Sequence, residues 1–143
     1  MLPDIIALVA CVTFIALALW HFHMAFSTAT GESAAVPSVD GKPLFKPSRI
    51  STIAVGVALV MFALLVACTA RWFAPGLPPA LPAWASYALA LGLFARALGD
   101  FKYVGFFKSV RGSRFAKMDT RLYSPLCLLL SMGVAANAVL RNG

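Results

Sequence analysis

Three long apolar runs without a charged side chain limit most strongly how this chain can fold. Ile5–Phe26 covers 22 residues, Ile50–Ala70 covers 21 and Leu122–Leu140 covers 19, and none of them contains Asp, Glu, Lys or Arg. A helix needs about 20 such residues to cross a hydrocarbon core of roughly 30 Å. The whole chain is 12% charged, compared with about 25% in soluble domains. The sequence therefore predicts an integral membrane protein.

A fourth span is less obvious because its first residues include several prolines. Leu77–Ala95 is uncharged but opens with "LPPALPAW", and proline fits the first turn of a helix better than its interior. A helix starting near Pro82 must run on to Asp100 to reach a useful length. Arg96 and Asp100 would then lie at the membrane boundary on one helix face, where they can form an ion pair.

These segments predict an all-α integral membrane bundle in which four transmembrane helices alternate in direction. The chain forms a single domain, residues 1–143, with spans at about 5–26, 50–71, 82–100 and 122–140 and connections at 27–49 and 101–121. The first span is interpreted as a retained helix, because it lacks a basic leader and carries Asp4 at its start.

The Lys and Arg residues between the spans predict the orientation of the bundle. Ten of them lie in or beside the connections 27–49 and 101–121, and only Arg71 and Arg141 lie on the opposite side. Since basic loops remain in the cytoplasm, both termini are predicted to lie outside. The net charge is +7, and its confinement between apolar blocks favours lipid headgroups over nucleic acid as the counter-charge.

Polar side chains near the cytoplasmic ends of the spans form the predicted ligand-binding layer. Polar groups within spans are unfavourable and usually serve a purpose. Position along the predicted helices brings "FHMAFS", "RALGD" and "DTRLYSPLC" to one depth. The candidate ligand-binding residues are His21, His23, Arg96, Asp100, Asp119, Tyr123, Ser124 and Cys127. No catalytic residue and no metal ligand set is predicted.

Each candidate also has a structural interpretation. His21 would be an interfacial histidine beside Trp20, and the Arg96–Asp100 pair would only stabilise the helix. Asp119 would orient the fourth helix, and Cys127 would be a core residue without an activating neighbour. The three cysteines have no spacing typical of a disulfide framework or a zinc site.

The two cytoplasmic connections have further features. Aromatic residues alternate with Lys and Arg between Phe101 and Phe115, a pattern typical of a segment lying flat at the membrane interface. The connection 27–49 is long, polar and interrupted by prolines and "DG". Loops of this length are often binding segments, so it is interpreted as a lid over the polar layer or as a solvated linker.

One pattern of residues is similar to a known family. It comprises Arg96, Gly99, Asp100, Phe101, Gly105, Phe106, Phe115, Asp119, Tyr123, Ser124, Pro125 and Cys127. "LWHFHMAF" and "DGKPLFKPS" extend the match toward the front of the chain. On these residues the chain resembles a bacterial family of small four-span membrane proteins that is classified as a domain of unknown function. The resemblance implies a bacterial inner-membrane protein with four helices and supplies no activity.

Three functional hypotheses remain open on the sequence. The leading one is a non-enzymatic protein that binds or moves a small amphipathic or anionic lipid-like molecule, with Arg96 holding the anionic head. The second is a redox component in which His21 serves haem or quinone; a metal at His21 and Cys127 would need further ligands that the sequence does not offer. The third is a structural subunit of a larger membrane complex. Membrane lipids are expected partners, and homo-oligomerisation is left open.

Overall fold

Four long helices make up most of the structure. The computed structural model describes residues 1–27, 36–40, 42–73 and 76–142, with residue 142 described by its backbone only. The long helices are α1 (Leu2–Phe26), α2 (Arg49–Thr69), α3 (Ala80–Leu98) and α5 (Ser124–Asn142). A short helix, α4 (Arg114–Met118), leads through a π-helical turn (Asp119–Tyr123) into α5. The helical stretch Arg114–Arg141 and the other three helices are each long and apolar enough to cross a membrane. The chain is thus an all-α, multi-pass membrane protein.

Local sequence signals explain several of the helix ends. Ser48 precedes α2, and its hydroxyl accepts a hydrogen bond from the Ser51 backbone N–H at 3.0 Å. Ser113 caps α4 in the same way through the Ala116 N–H, also at 3.0 Å. These are N-caps of the type that satisfies free backbone donors in a first turn. Helix α3 ends before Gly99, whose φ of 91° is outside the helical range.

The helices pack as a closed ring in which α1 contacts α2, α2 contacts α3, α3 contacts α5 and α5 contacts α1. Phe14, Val66 and Val134 are fully buried where α1, α2 and α5 meet. Ser131 on α5 donates a hydrogen bond to the Ala90 carbonyl of α3 at 2.7 Å. Many large apolar side chains point outward, among them Leu8, Val12, Leu91 and Leu129. An apolar exterior of this kind suits a lipid environment.

Polar contacts between helix ends show that consecutive long helices run in opposite directions. Arg141 at the end of α5 hydrogen-bonds Asp4 at the start of α1. At the other end of α1, the Ala25 carbonyl accepts a hydrogen bond from Arg49 at the start of α2, at 3.1 Å. The end of α2 meets the start of α3, where Thr69 contacts the Pro82 carbonyl at 3.1 Å.

We use the name "basic end" for the end of the bundle formed by the last turns of α1 and α3 and the first turns of α2 and α5. The segment 99–113 and helix α4 also lie there, between α3 and α5. Before α2, strands β1 (Ser38–Val39) and β2 (Lys42–Pro43) pair antiparallel. Residues 27–49 are interpreted from the sequence as a lid over the polar layer. Because 28–35 and 41 lie outside the described residues, the lid remains a prediction.

Candidate functional site

A buried carboxylate, Asp119, is the centre of the polar contacts at the basic end. Asp119 opens the π-helical turn and is fully buried. Its Oδ1 accepts a hydrogen bond from Arg96 Nη2 at 2.9 Å. Its Oδ2 accepts from the Gly105 N–H at 2.7 Å and from Lys108 Nζ at 3.0 Å. One carboxylate therefore joins α3, the following loop and the helix leading into α5. We call Arg96, Lys108 and Asp119 the charge cluster.

Lys108 is a buried lysine whose hydrogen-bonding capacity is fully used. Its side chain is 1% exposed. Besides Asp119, its ammonium group contacts the Gly105 carbonyl at 2.8 Å and the Thr120 hydroxyl at 2.6 Å. An ammonium has three N–H donors, and all three have acceptors here. Lys108 consequently has no donor left for a ligand and serves to hold the loop against Asp119.

Two glycines allow the loop after α3 to fold back onto the helix end. The Phe106 N–H donates to the Ala97 carbonyl at 2.9 Å, which satisfies one of the last carbonyls of α3. Gly105 has a φ of 89°, and a Cβ there would lie 2.3 Å from the Leu98 carbonyl oxygen. Gly99 is equally restricted, because its Cβ would lie 1.7 Å from the Val104 oxygen. The sequence "GDFKYVG" thus fixes where the Gly105 N–H meets Asp119.

The predicted ion pair between Arg96 and Asp100 is wrong. It required helix α3 to continue to Asp100, whereas the helix ends at Leu98. Arg96 pairs with Asp119 instead. The Asp100 carboxylate turns to its own loop and accepts hydrogen bonds from the N–H groups of Lys102, Tyr103 and Val104 at 3.0, 2.7 and 2.9 Å. The N–H bonds from Tyr103 and Val104, assisted by that from Lys102, lower the pKa of Asp100 below its ordinary value.

Two polar atoms beside the charge cluster are buried without a partner in the described part of the chain. They are Nη1 of Arg96 and Oγ of Ser124. Ser124 itself is fully buried, and its backbone N–H donates to the Asp119 carbonyl across the π-helical turn. The Arg96 side chain is 36% exposed, so it reaches the surface. Buried polar atoms normally have partners, and an incoming oxygen atom would supply one here.

Tyr123 and Cys127 lie near this cluster. The Tyr123 ring packs on the ring of Phe115, with 5.9 Å between centroids. Cys127 is a half-buried free thiol in the first turn of α5, three residues after Ser124. The structure therefore places Arg96, Asp119, Tyr123, Ser124 and Cys127 at the junction of α3 and α5.

The two histidines have contacts within α1. His21 Nδ1 donates a hydrogen bond to the Leu17 carbonyl oxygen at 2.8 Å. His23 is exposed, and its ring lies 6.1 Å from that of Trp20. The ring of His23 thus lies near Trp20, while His21 is hydrogen-bonded to the preceding turn of α1. Among residues 1–27, 36–40, 42–73 and 76–142, no group of three His, Cys, Asp or Glu side chains is placed to hold a metal ion.

Lys108 and Thr120 are not among the candidates predicted from the sequence, and Gly105 enters there only through the family resemblance. Lys108 was counted among the basic residues of a cytoplasmic loop, and such residues are usually exposed. A signal was nevertheless present, because two glycines near the end of α3 are typical of a chain that turns back sharply. A loop folded back in this way brings a nearby lysine toward the start of the next helix.

Comparison with known proteins agrees with the resemblance found on the residues of this site. A family model described as "Protein of unknown function (DUF3995)" matches residues 14–134. The chain belongs to the DUF3995 family. The matched range contains all eight candidate residues as well as Lys108 and Gly105. No curated protein and no solved structure matches the chain.

Proposed function

We propose that this DUF3995 protein binds a small amphipathic molecule with an anionic head, such as a lipid, at the basic end of its bundle. The observation that carries the proposal is Nη1 of Arg96, which is buried and has no hydrogen-bond partner within the described part of the chain. The second guanidinium nitrogen, Nη2, is held by Asp119. Arg96 is therefore oriented by the protein and still has donors to offer a ligand.

The charge balance of the cluster supports an anionic ligand. Arg96 and Lys108 share the single carboxylate of Asp119, so the cluster carries one positive charge in excess. Uncompensated charge is unfavourable in a buried setting. An anionic oxygen on Arg96 would offset it through charge-assisted hydrogen bonds, which are stronger than neutral ones. Ser124 Oγ would supply a second hydrogen bond on the α5 side.

The surface around the charge cluster is also positively charged. Between Arg96 and Arg121 there are seven basic and two acidic residues. Asp119 is buried and Asp100 is bound to its own loop. The exposed charged side chains of this segment that remain are Lys102, Arg111, Arg114, Lys117 and Arg121. Such a surface raises the local concentration of anions and favours anionic lipids.

The proposal includes a location. The excess of Lys and Arg at the basic end favours its placement on the cytoplasmic side. The protein would then lie in the inner membrane of a bacterium, with the ligand entering from the cytoplasmic leaflet.

The test is native mass spectrometry of protein released from membranes in mild detergent, compared between four variants. Ser124→Ala removes a hydroxyl that makes no hydrogen bond in the described structure. A purely structural role therefore predicts unchanged ligand retention. Arg96→Lys keeps the charge but removes Nη1. The matched controls are Ser131→Ala, which loses the bond to Ala90, and Arg121→Lys on the exposed surface.

The expected result is an anionic lipid mass on the wild type that survives activation. Ser124→Ala and Arg96→Lys are each expected to reduce its retention about tenfold, since a hydrogen bond to a charged group contributes about 1.5–3 kcal/mol. Ser131→Ala and Arg121→Lys are expected to retain the lipid. Equal lipid retention in the wild type and all four variants would overturn the proposal, and so would a wild type without any bound anion. Either result would mean that Nη1 of Arg96 and the Ser124 hydroxyl bind only water.

A further inference from the structure

We infer that Phe101 and Phe107, flanked by Lys102 and Arg111, form a surface that inserts into the interface of an anionic lipid leaflet. This surface belongs to the loop between α3 and α4. Its contact with the leaflet is separate from ligand binding at Arg96, and either can exist without the other. We call these four residues the loop anchor.

The two aromatic rings of the loop anchor are presented outward as a pair. Phe101 is 65% exposed and Phe107 is 60% exposed. Their ring centroids lie 6.4 Å apart, with 36° between the ring planes. Two neighbouring phenyl rings that are both mostly exposed form an apolar patch, and such a patch on a folded protein usually marks a contact surface.

The backbone holds Phe101 in this position at an energetic cost. Its φ of 61° lies in the left-handed region, which is unusual for a bulky residue. The Phe101 carbonyl accepts the Ser109 N–H at 3.2 Å and the Ser109 hydroxyl at 3.0 Å. The Lys102 carbonyl accepts the Val110 N–H at 2.9 Å. Backbone strain at such a residue is often associated with function, and here it keeps an apolar ring exposed.

The position and charge of the surface favour lipid as its partner. Phe101 follows the end of α3 by three residues, so the rings lie where a membrane-spanning helix leaves the hydrocarbon. Lys102 and Arg111 are exposed beside them. The neighbouring acid, Asp100, directs its carboxylate at backbone N–H groups. Apolar rings flanked by exposed cations are the combination that binds an anionic membrane interface.

The test uses a tryptophan introduced by Phe107→Trp as a reporter in vesicles. Trp20, Trp72 and Trp84 are first replaced by Phe, and Phe107→Trp is then added; circular dichroism checks that the helices are retained. Phe101→Trp in the same background is a second reporter, and Lys117→Trp on exposed α4 is the control. Quenching by lipids brominated at shallow or deep acyl positions and by aqueous acrylamide is measured in vesicles with and without phosphatidylglycerol.

In anionic vesicles, both loop reporters are expected to be quenched most by shallow bromines and at least about twofold less by acrylamide than the Lys117→Trp control. Omission of phosphatidylglycerol is expected to raise their acrylamide quenching. Two results would overturn the inference. Quenching of the loop reporters by acrylamide but not by brominated lipid would show that they lie in water, and quenching by neither would show that protein covers them. Equal quenching in the two kinds of vesicle would refute the requirement for anionic lipid.

Discussion

Replacing Lys108 by methionine should destabilise the fold far more than the same change at an exposed lysine. The ammonium group of Lys108 contacts Asp119 at 3.0 Å, the Gly105 carbonyl at 2.8 Å and the Thr120 hydroxyl at 2.6 Å. Both charged side chains are almost completely buried. Removing one partner of a buried pair costs about 3–5 kcal/mol. We expect the lower limit, about 3 kcal/mol, because Arg96 still neutralises Asp119.

The assay is equilibrium unfolding in mixed micelles with increasing denaturing detergent, followed by circular dichroism. Lys117→Met is the matched control, because Lys117 is an exposed lysine of α4 in the same part of the chain. Surface substitutions of this kind usually change the free energy of unfolding by less than about 0.5 kcal/mol. The difference between the two variants therefore isolates burial and hydrogen bonding from the loss of one positive charge.

A double-mutant cycle then tests whether Lys108 acts through Asp119. Asp119→Leu alone leaves the Lys108 ammonium buried without its counter-ion, whereas Lys108→Met with Asp119→Leu removes both charges. The double variant should lose at least about 1 kcal/mol less than the sum of the single losses, as expected for residues in direct contact. Additive losses, or a Lys108→Met loss equal to that of Lys117→Met, would refute the assignment of Lys108 to the charge cluster.

Three further predictions concern other described residues. Gly105→Ala should lower the free energy of unfolding by about 2–3 kcal/mol because of its positive φ and the 2.3 Å approach to the Leu98 carbonyl. Gly92→Ala, with open space around it, should raise the free energy of unfolding by up to about 1 kcal/mol. A Gly105→Ala variant more stable than Gly92→Ala in detergent unfolding would contradict both predictions. The lowered pKa of Asp100 means that its stabilisation of the loop is present above the ordinary pKa of 3.8 and is lost as pH falls through the lower folded-state value. Hydrogen-exchange protection of the Tyr103 amide should accordingly persist down to the ordinary pKa of 3.8, fall at lower pH in the wild type and stay flat in Asp100→Asn; a flat wild-type profile would count against the capping role. Asn137 is buried, its Oδ1 has no hydrogen-bond partner among the described residues, and its Nδ2 makes a long 3.3 Å bond to the Val66 carbonyl. Asn137→Leu should therefore be neutral or stabilising in a thermal melt, and a loss above about 2 kcal/mol would disprove this.

The four long helices could be predicted from the sequence because their main requirement is local. A run of about 20 apolar residues satisfies its backbone groups within one helix, and lipid accepts its side chains. The predicted all-α fold with four apolar helices is confirmed. Helix ends were less accurate: α3 begins at Ala80 and ends at Leu98, rather than running from about 82 to 100. Prolines in a first turn and a glycine after the last turn account for both shifts.

The charge cluster could be predicted only in part, because its contacts join residues that are distant in sequence. Arg96 and Asp119 were both selected as candidates, but their pairing spans 23 positions and depends on how α3 packs on α5. The expected partner, Asp100, was closer in sequence and needed only a continuous helix. Lys108 could not be distinguished from the exposed basic residues around it, since burial of a lysine depends on acceptors supplied by the folded loop.

The π-helical turn at Asp119–Tyr123 fits one more residue before α5 than a regular helical turn would. In this turn the Ser124 N–H reaches back five residues to the Asp119 carbonyl, rather than four. Each residue of a regular helix turns the chain by about 100°, and the wider turn takes up the rotation that one added residue would otherwise cause. Deleting one residue between Thr120 and Tyr123 would let the same Asp119 carbonyl and Ser124 N–H bond in the ordinary four-residue pattern. A one-residue gap at this position is therefore compatible with the charge cluster, whose ion pairs need only that Asp119 stays at the start of α5.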